Sequence, residues 1–155
     1  MGQVIAMRRQ FKLGIWGRLR AWWALWRQPA SLGLRGERWA EKFLRRKGYI
    51  IIATHQRDRR LGEIDIIAVD GRTVVFVEVK TRTSHDKGHP AEAVDQHKQR
   101  RIIKLALRYL KRHDLLENAA RFDIIALTWP ASEKTPVVEH FERAFDPQDV
   151  GGMFS

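Results

Sequence analysis

The chain has 155 residues, of which 44% are hydrophobic, and it contains no cysteine. This length suits one domain with some extra sequence, and the lack of cysteine excludes disulfides, thiolate catalysis and cysteine-ligated zinc. The 29 Lys and Arg residues outnumber the 18 Asp and Glu residues, which gives a net charge of +11. That excess favours a polyanionic partner, either nucleic acid or an acidic membrane surface.

No apolar run approaches the roughly 20 residues needed to span a bilayer. The first residues also lack the long apolar stretch and the small-residue cleavage site of a secretory signal. We therefore expect a cytoplasmic protein without stable membrane insertion.

Residues 1–35 differ in composition from the rest of the chain. They carry seven Lys and Arg residues and no acidic residue, so they supply +7 of the net charge, and they hold four of the six tryptophans. A stretch of Pro, Ser and Gly at 29–33 then indicates a linker. We predict a basic, Trp-rich extension over 1–32. It either contacts nucleic acid, a membrane or a partner protein, or it is a poorly ordered extension or one whose tryptophans pack on the domain.

Regular patterns begin at Gly36. Apolar positions at helical spacing predict a first helix that stops at Gly48. A β-branched run predicts a strand over 49–54, and the polar residues 55–61 are predicted to form a loop.

Two strands at 63–69 and 73–81 are predicted to form a hairpin turned by Asp70-Gly71. After a loop, residues 91–113 are predicted as one long basic helix whose apolar stripe faces inward. Its inward positions are Val94, Ile102, Leu105, Ala106, Tyr109 and Leu110. Strands at 121–129 and 137–141 follow, and 146–155 is predicted to be a flexible tail. The order α-β-β-β-α-β, with a further short strand, predicts an α/β domain over 33–145: a mixed β-sheet flanked by helices.

Three charged groups, Asp65, Glu78 and Lys80, interrupt the two apolar hairpin strands, and a fourth, Glu63, stands at the start of the first strand. Side chains alternate along a strand, so Glu78 and Lys80 are expected to share one face, and Glu63, Asp65 and Ile67 one face of the neighbouring strand. Charged groups in apolar surroundings are costly unless they are paired or bound to a metal. Asp65 and Glu78 offer the hard oxygen ligands that Mg²⁺ or Mn²⁺ prefers, and Lys80 would orient a water or stabilise charge on a phosphate.

Each of these residues also has a purely structural interpretation. Asp65, Glu78 and Lys80 could form an internal salt bridge, since cross-strand ion pairs are common. Glu63 is either a further ligand or the partner of a nearby arginine. Glu37 stands in the first helical turn, where an acidic residue is favourable through the helix dipole alone.

Basic residues concentrate before the Asp65 strand and along the 91–113 helix. In one interpretation they bind a sugar–phosphate backbone, and in the other they form an ordinary solvated face. The candidates for nucleic-acid binding are Arg57, Arg59, Lys98, Arg100, Arg101 and Lys104. The six histidines show no metal-binding spacing. His85 and His89 are expected in a loop near Lys80, where a surface position is favoured over an approach to the substrate.

Several separated motifs resemble, in order, those of the bacterial YraN-like family. They are Gly36-Glu37, Gly-Glu-Ile-Asp-Ile-Ile-Ala at 62–68, Phe-Val-Glu-Val-Lys-Thr-Arg at 76–82, Lys-Gln-Arg-Arg at 98–101 and Arg-Phe-Asp-Ile-Ile-Ala at 121–126. The resemblance covers about residues 33–145. That family is similar to the restriction-endonuclease-like PD-(D/E)xK superfamily, and in particular to archaeal Holliday junction resolvases.

The resemblance implies a restriction-endonuclease-like fold and a metal-dependent nuclease acting on DNA, including branched or damaged DNA. Asp65 matches the first acidic ligand of the superfamily, and Glu78-Val79-Lys80 matches its (D/E)xK element. Glu37 matches the acidic residue that related resolvases carry on the first helix. Ile64 stands where the superfamily pattern has proline. Because related resolvases are dimers, a homodimer is one arrangement that the resemblance implies.

Three hypotheses follow from the sequence. The first is a Mg²⁺- or Mn²⁺-dependent endonuclease that uses Asp65, Glu78, Lys80 and Glu37. The second is a protein of the same fold that binds nucleic acid without cutting it. The third is a protein that docks to a membrane or to a partner through its N-terminal extension.

Overall fold

The computed structural model describes residues 31–83, 94–130 and 133–148. Apart from Ser31 and Leu32, the predicted extension over 1–32 lies outside these residues. So do His85 and His89, and all of the predicted tail beyond residue 148.

Within these described residues, five strands form one mixed sheet in the order in which they occur along the chain. They are β1 (Ile50–Asp58), β2 (Gly62–Asp70), β3 (Thr73–Arg82), β4 (Ala120–Thr128) and β5 (Val137–Phe145), and the helices are α1 (Leu32–Arg46) and α2 (Gln96–Arg112). Among the strands of the described residues, only the β3–β4 pair is parallel, and its crossover connection carries α2. The predicted α/β class and mixed sheet are confirmed.

Helix α1 starts earlier than predicted because Ser31 caps it. The Ser31 hydroxyl accepts a hydrogen bond from the Leu34 amide, so part of the predicted linker is helical. The helix ends as predicted, because Gly48 adopts the left-handed backbone (φ 93°) that commonly stops a helix. Its buried face carries small residues, Gly36 and Ala40, followed by Leu44.

Helix α2 begins at Gln96, so the prediction that the helix already includes residues 94 and 95 was wrong. The Asp95 carboxylate accepts a hydrogen bond from the Lys98 amide (2.7 Å), which caps the first turn. The predicted inward stripe is confirmed within the helix, and Val94 is buried just before it. No described helix is long and apolar enough to cross a membrane.

Strand β1 is longer than predicted and includes part of the predicted loop 55–61. Gln56, Arg57 and Asp58 remain strand residues because they pair with Ile64, Glu63 and Gly62 of β2. Strand β5 likewise runs on to Phe145. Sheet pairing has therefore kept polar residues in strands whose composition alone favours a loop.

The two helices cover opposite faces of the sheet. Leu44 and Ala40 of α1 pack with Ile66, Val75 and other residues in one hydrophobic cluster. The apolar stripe of α2 packs with Phe76, Phe122 and others in a second cluster. Alternate residues of β3 thus contribute to two separate cores, so the strand is buried on both faces.

A buried ion cluster joins β4 to β5. Asp123 is fully buried, and its carboxylate accepts hydrogen bonds from Arg121 Nε (3.2 Å), His140 Nε2 (3.0 Å) and the Arg143 amide (3.0 Å). Burial acts to raise the pKa of Asp123, but the hydrogen bonds from these donors prevail and hold it below its ordinary value. Asp123 is therefore a paired anion within the core.

Candidate active site

Strands β2 and β3 separate at the candidate site. Their paired residues run from the turn as far as Ile66 and Val77. Beyond these residues β2 continues beside β1, and β3 continues beside β4, where Glu78 lies opposite Ile124. Asp65 and Glu78 are the first residues past the last β2–β3 pair. Both acidic residues therefore stand where the two strands diverge.

Strand β2 is twisted at Asp65. Ile64 and Ile67 belong to the core under α2, whereas Ile66 belongs to the core under α1. Ile64 and Ile66, which are two residues apart, thus face different layers, so regular alternation fails between them. The expectation that Glu63, Asp65 and Ile67 share one face rested on that alternation and was wrong.

His55 marks the same irregularity on β1. It lies between the paired residues Thr54–Ile66 and Gln56–Ile64, level with Asp65, and has a left-handed backbone (φ 52°). Such a conformation is strained for a residue with a side chain, and strained residues concentrate at functional sites.

The Asp65 carboxylate crosses the gap between the two strands. Its Oδ2 accepts a hydrogen bond from the Val79 amide of β3 at 2.7 Å. Burial, together with the negative charge of Glu78, raises the pKa of Asp65 to about 7, against the partial opposition of that hydrogen bond and of Lys98. Glu37 adds a smaller effect in the same direction. The three carboxylates are thus close enough to repel one another.

The Glu78 carboxylate is almost fully buried, with 3% of its side chain exposed. Its Oε1 lies 2.9 Å from Lys80 Nζ and also accepts a hydrogen bond from Lys98 Nζ of α2. Its Oε2 is buried and has no hydrogen-bond partner among the described residues. An unpaired buried carboxylate oxygen is costly unless a further cation or donor reaches it.

Glu37 reaches the site because α1 lies unusually close to β3. A Cβ atom at Gly36 would overlap the Thr81 hydroxyl and lie 3.1 Å from Thr81 Cβ, so only glycine permits this approach. Glu37 Oε2 is buried and, within the described parts of the chain, makes no hydrogen bond, although His55 Nε2 lies 3.3 Å away. Burial raises the pKa of Glu37, and the charge of His55 acts against it.

Glu63 is committed to neighbours on β1. Its carboxylate lies 2.9 Å from His55 Nδ1 and 2.7 Å from Arg57 Nε. Burial acts to raise the pKa of Glu63, but the hydrogen bonds from Arg57 and His55 outweigh it and lower the pKa. Of the two interpretations of Glu63, these contacts favour the one in which Glu63 pairs with a nearby arginine, here Arg57.

The six predicted nucleic-acid-binding residues lie in different surroundings. The Lys98 ammonium donates to Glu78 Oε1 and so joins the cluster formed by Glu37, His55, Asp65, Glu78 and Lys80. Arg101 donates to the Leu61 carbonyl (2.8 Å) and so braces the turn before β2. The remaining four, Arg57, Arg59, Arg100 and Lys104, are exposed.

Two residues of the cluster were not assigned to it from the sequence. Lys98 was counted among the basic helix residues, and His55 was placed in a loop. The Asp95 cap would have placed Lys98 in the first helical turn, but nothing in the sequence indicated that this turn lies beside Glu78. Nothing in the sequence indicated the left-handed backbone of His55.

The residues fit a divalent cation held by two carboxylates, and not a site in which protein side chains supply every ligand. Across the described ranges, no three His, Asp or Glu side chains are grouped so as to hold a metal ion. Asp65 and Glu78 nevertheless present hard oxygens in mutual repulsion, and Glu78 Oε2 is buried without a partner among the residues described. Mg²⁺ is commonly held by one or two carboxylates, with waters and substrate phosphate as its other ligands. The donor set fits that mode.

Fold and site together define an α/β protein with a carboxylate–lysine cluster at the fork of a mixed sheet. The chain belongs to the family described as "Uncharacterised protein family UPF0102", whose model matches residues 36–127. This match confirms the resemblance to the YraN-like family, and it includes every residue of the cluster.

Curated relatives carry the same family name. A UPF0102 protein of Rhodopirellula baltica is 47% identical over 145 residues, which cover 88% of this chain and 86% of the relative. UPF0102 proteins of Chlorobium limicola and Geobacter metallireducens are 49% and 48% identical, over 76% and 75% of this chain and 93% of each relative. The similarity therefore spans the whole domain.

Proposed function

We propose that this protein is a metal-dependent endonuclease that hydrolyses phosphodiester bonds in DNA, with branched or damaged DNA among its candidate substrates. The observation that carries the proposal is the Glu78 carboxylate: buried, beside Asp65 and Lys80, with one oxygen lacking a partner among the described residues. A site that gathers repelling carboxylates and a lysine at the end of a strand pair is costly to the fold, and such sites are commonly functional.

Each residue has a separate role in the proposal. Asp65 and Glu78 would hold Mg²⁺ or Mn²⁺, which supplies Lewis-acid activation of water and neutralises phosphate charge when bound. Lys80, with 23% of its side chain exposed, orients the attacking water or stabilises charge on the phosphate. Glu37 adds negative charge beside Asp65, and its buried oxygen, which has no hydrogen-bond partner among the described residues, would accept a hydrogen bond from a water in the site.

The exposed basic residues would bind the sugar–phosphate backbone. Arg57 and Arg59 lie at the β1–β2 end of the site, and Arg100 and Lys104 lie on the outer face of α2. Such contacts position a substrate without reading its bases, and they make binding depend on salt.

The test is a cleavage assay with Mg²⁺ and Mn²⁺ on linear duplex, single-stranded and four-way-junction DNA. We expect divalent-dependent cutting that Glu78→Gln and Lys80→Ala each reduce by at least about 100-fold, the scale of losing one charge-stabilising group. Glu117→Gln is the matched control, because Glu117 is exposed and lies away from the cluster.

Absence of cutting by the wild-type protein on all three substrates would refute the proposal. Equal cutting by wild type and Glu78→Gln would also refute it, since a contaminating nuclease explains that result. A homodimer stays a prediction, which light scattering with and without junction DNA tests.

A second candidate is a protein of the same fold that binds nucleic acid without cutting it. The observation in its favour is that Glu78 Oε1 already has two ammonium partners, as in a purely structural ion cluster. A salt-sensitive gel shift that is unchanged by EDTA and by Lys80→Ala, together with an absence of cleavage, would favour this candidate. The third hypothesis, docking through the N-terminal extension, concerns residues that lie largely outside those described.

A further inference from the structure

Two lysines from different elements share one oxygen of Glu78. Lys80 follows Glu78 on β3, so its position is set by the strand itself. Lys98 comes from α2, which lies in the connection between β3 and β4, and its ammonium donates to the same Oε1. Oε1, one of the two Glu78 oxygens that a divalent cation could bind, is therefore held by two side chains with different freedom to move.

Lys98 is the more displaceable of the two. Its side chain is 40% exposed, against 23% for Lys80, so its ammonium can exchange the carboxylate for solvent. Its backbone is fixed independently, because the Lys98 amide donates to the Asp95 cap. The side chain can leave Glu78 without unwinding the helix.

We propose that Lys98 is a positioning residue that holds Glu78 in the cation-free protein and competes with a divalent cation for that carboxylate. The inference deepens the proposed function and rests on it in one respect, the assignment of Asp65 and Glu78 as the cation ligands. It does not require that the protein cut DNA.

The competition has a measurable consequence. A cation that binds Glu78 through both oxygens displaces the charge-assisted hydrogen bond that Lys98 donates to Oε1, and a cation at either oxygen enters a site made less negative by the Lys98 ammonium. Removing that ammonium removes both obstacles. Cation affinity should then rise roughly tenfold, the scale of one such hydrogen bond.

The experiment is calorimetric titration of Mn²⁺ into the full-length protein without DNA. Lys98→Gln should bind Mn²⁺ about tenfold more tightly than the wild type. Lys98→Arg, which keeps the positive charge, should stay within about twofold of the wild type. Lys111→Gln is the matched control, because it removes the same charge from the exposed far end of the same helix, about 20 Å away at 1.5 Å per residue, and should leave affinity unchanged.

Equal or weaker Mn²⁺ binding by Lys98→Gln would overturn the inference, and so would a lack of Mn²⁺ binding by every variant. If Lys98→Gln binds more tightly while no variant cuts DNA, the inference stands and the proposed nuclease fails. Should Lys98→Gln fold poorly, Lys98→Met keeps the aliphatic stem, and the Mn²⁺-induced rise in its Tm should exceed that of the wild type.

Discussion

Replacing Asp65 by asparagine should stabilise the protein above neutral pH in the absence of divalent cations. The carboxamide oxygen of the new side chain can still accept the Val79 hydrogen bond, but the side chain no longer carries a charge beside Glu78 and Glu37. Burial and the charge of Glu78 raise the pKa of Asp65 to about 7 in the folded protein. The carboxyl of an unfolded chain titrates near 4.

The size of the effect follows from that difference. The folded state holds the Asp65 proton more tightly than the unfolded state, so stability falls as pH rises from about 4 to about 7 and then levels off. Each pH unit between the two pKa values corresponds to about 1.4 kcal/mol. Because Asp65 keeps some contact with solvent, we expect Asp65→Asn to raise the free energy of unfolding by about 2–4 kcal/mol at pH 8.5. The expected rise at pH 4.5 is about 1 kcal/mol.

Urea unfolding in EDTA at pH 4.5 and pH 8.5 measures both values. The matched control is Asp123→Asn, the same chemical change at another buried strand position. Asp123 is paired with Arg121 and His140, and its pKa is lowered, so its contribution is present above about pH 4. Breaking this pair should cost about 3–5 kcal/mol at both pH values.

The reasoning would be refuted if Asp65→Asn destabilised the protein at pH 8.5 as Asp123→Asn does. A stability gain that does not grow with pH would also refute it. Either result would mean that Asp65 is a satisfied structural anion, as in the salt-bridge interpretation.

Three other outcomes are expected. Gly36→Ala should destabilise the protein by about 1–3 kcal/mol in urea unfolding, since its Cβ would collide with Thr81, and a change below about 0.5 kcal/mol would contradict the close packing of α1. Lys104→Ala should lower the slope of log K against log salt for duplex binding by about 1, and an unchanged slope would remove Lys104 from the interface. Arg121→Met should lower the Tm by about 10 °C or more, because it leaves the buried Asp123 without its guanidinium; a shift below about 2 °C would argue against the ion cluster.

Patterns with a clear period predicted the fold well. Strands β2, β3 and β4 were found within one residue of their predicted ends, because apolar residues buried on both faces leave few alternatives to a strand. Strand β1 was cut short in the prediction, because Gln56 and Arg57 owe their conformation to pairing with β2 and not to their own preferences.

The members of the cluster were easier to predict than its geometry. Asp65, Glu78, Lys80 and Glu37 stood out because charges among apolar residues, or in a recognised motif, are visible in the sequence. Their actual arrangement depends on the twist at Asp65, which breaks the alternation assumed for β2. Lys98 comes from an element that lies next to Glu78 only after the crossover has folded, so no local pattern reveals the contact.

The fork between β2 and β3 gives the protein an internal spectroscopic reporter. The Val79 amide bonds to the Asp65 carboxylate rather than to a carbonyl of the neighbouring strand. Its proton resonance should therefore move as Asp65 titrates, and it should move again when an ion withdraws that carboxylate. One backbone resonance in a ¹⁵N-labelled sample would thus report whether a cation occupies the site, without any substrate.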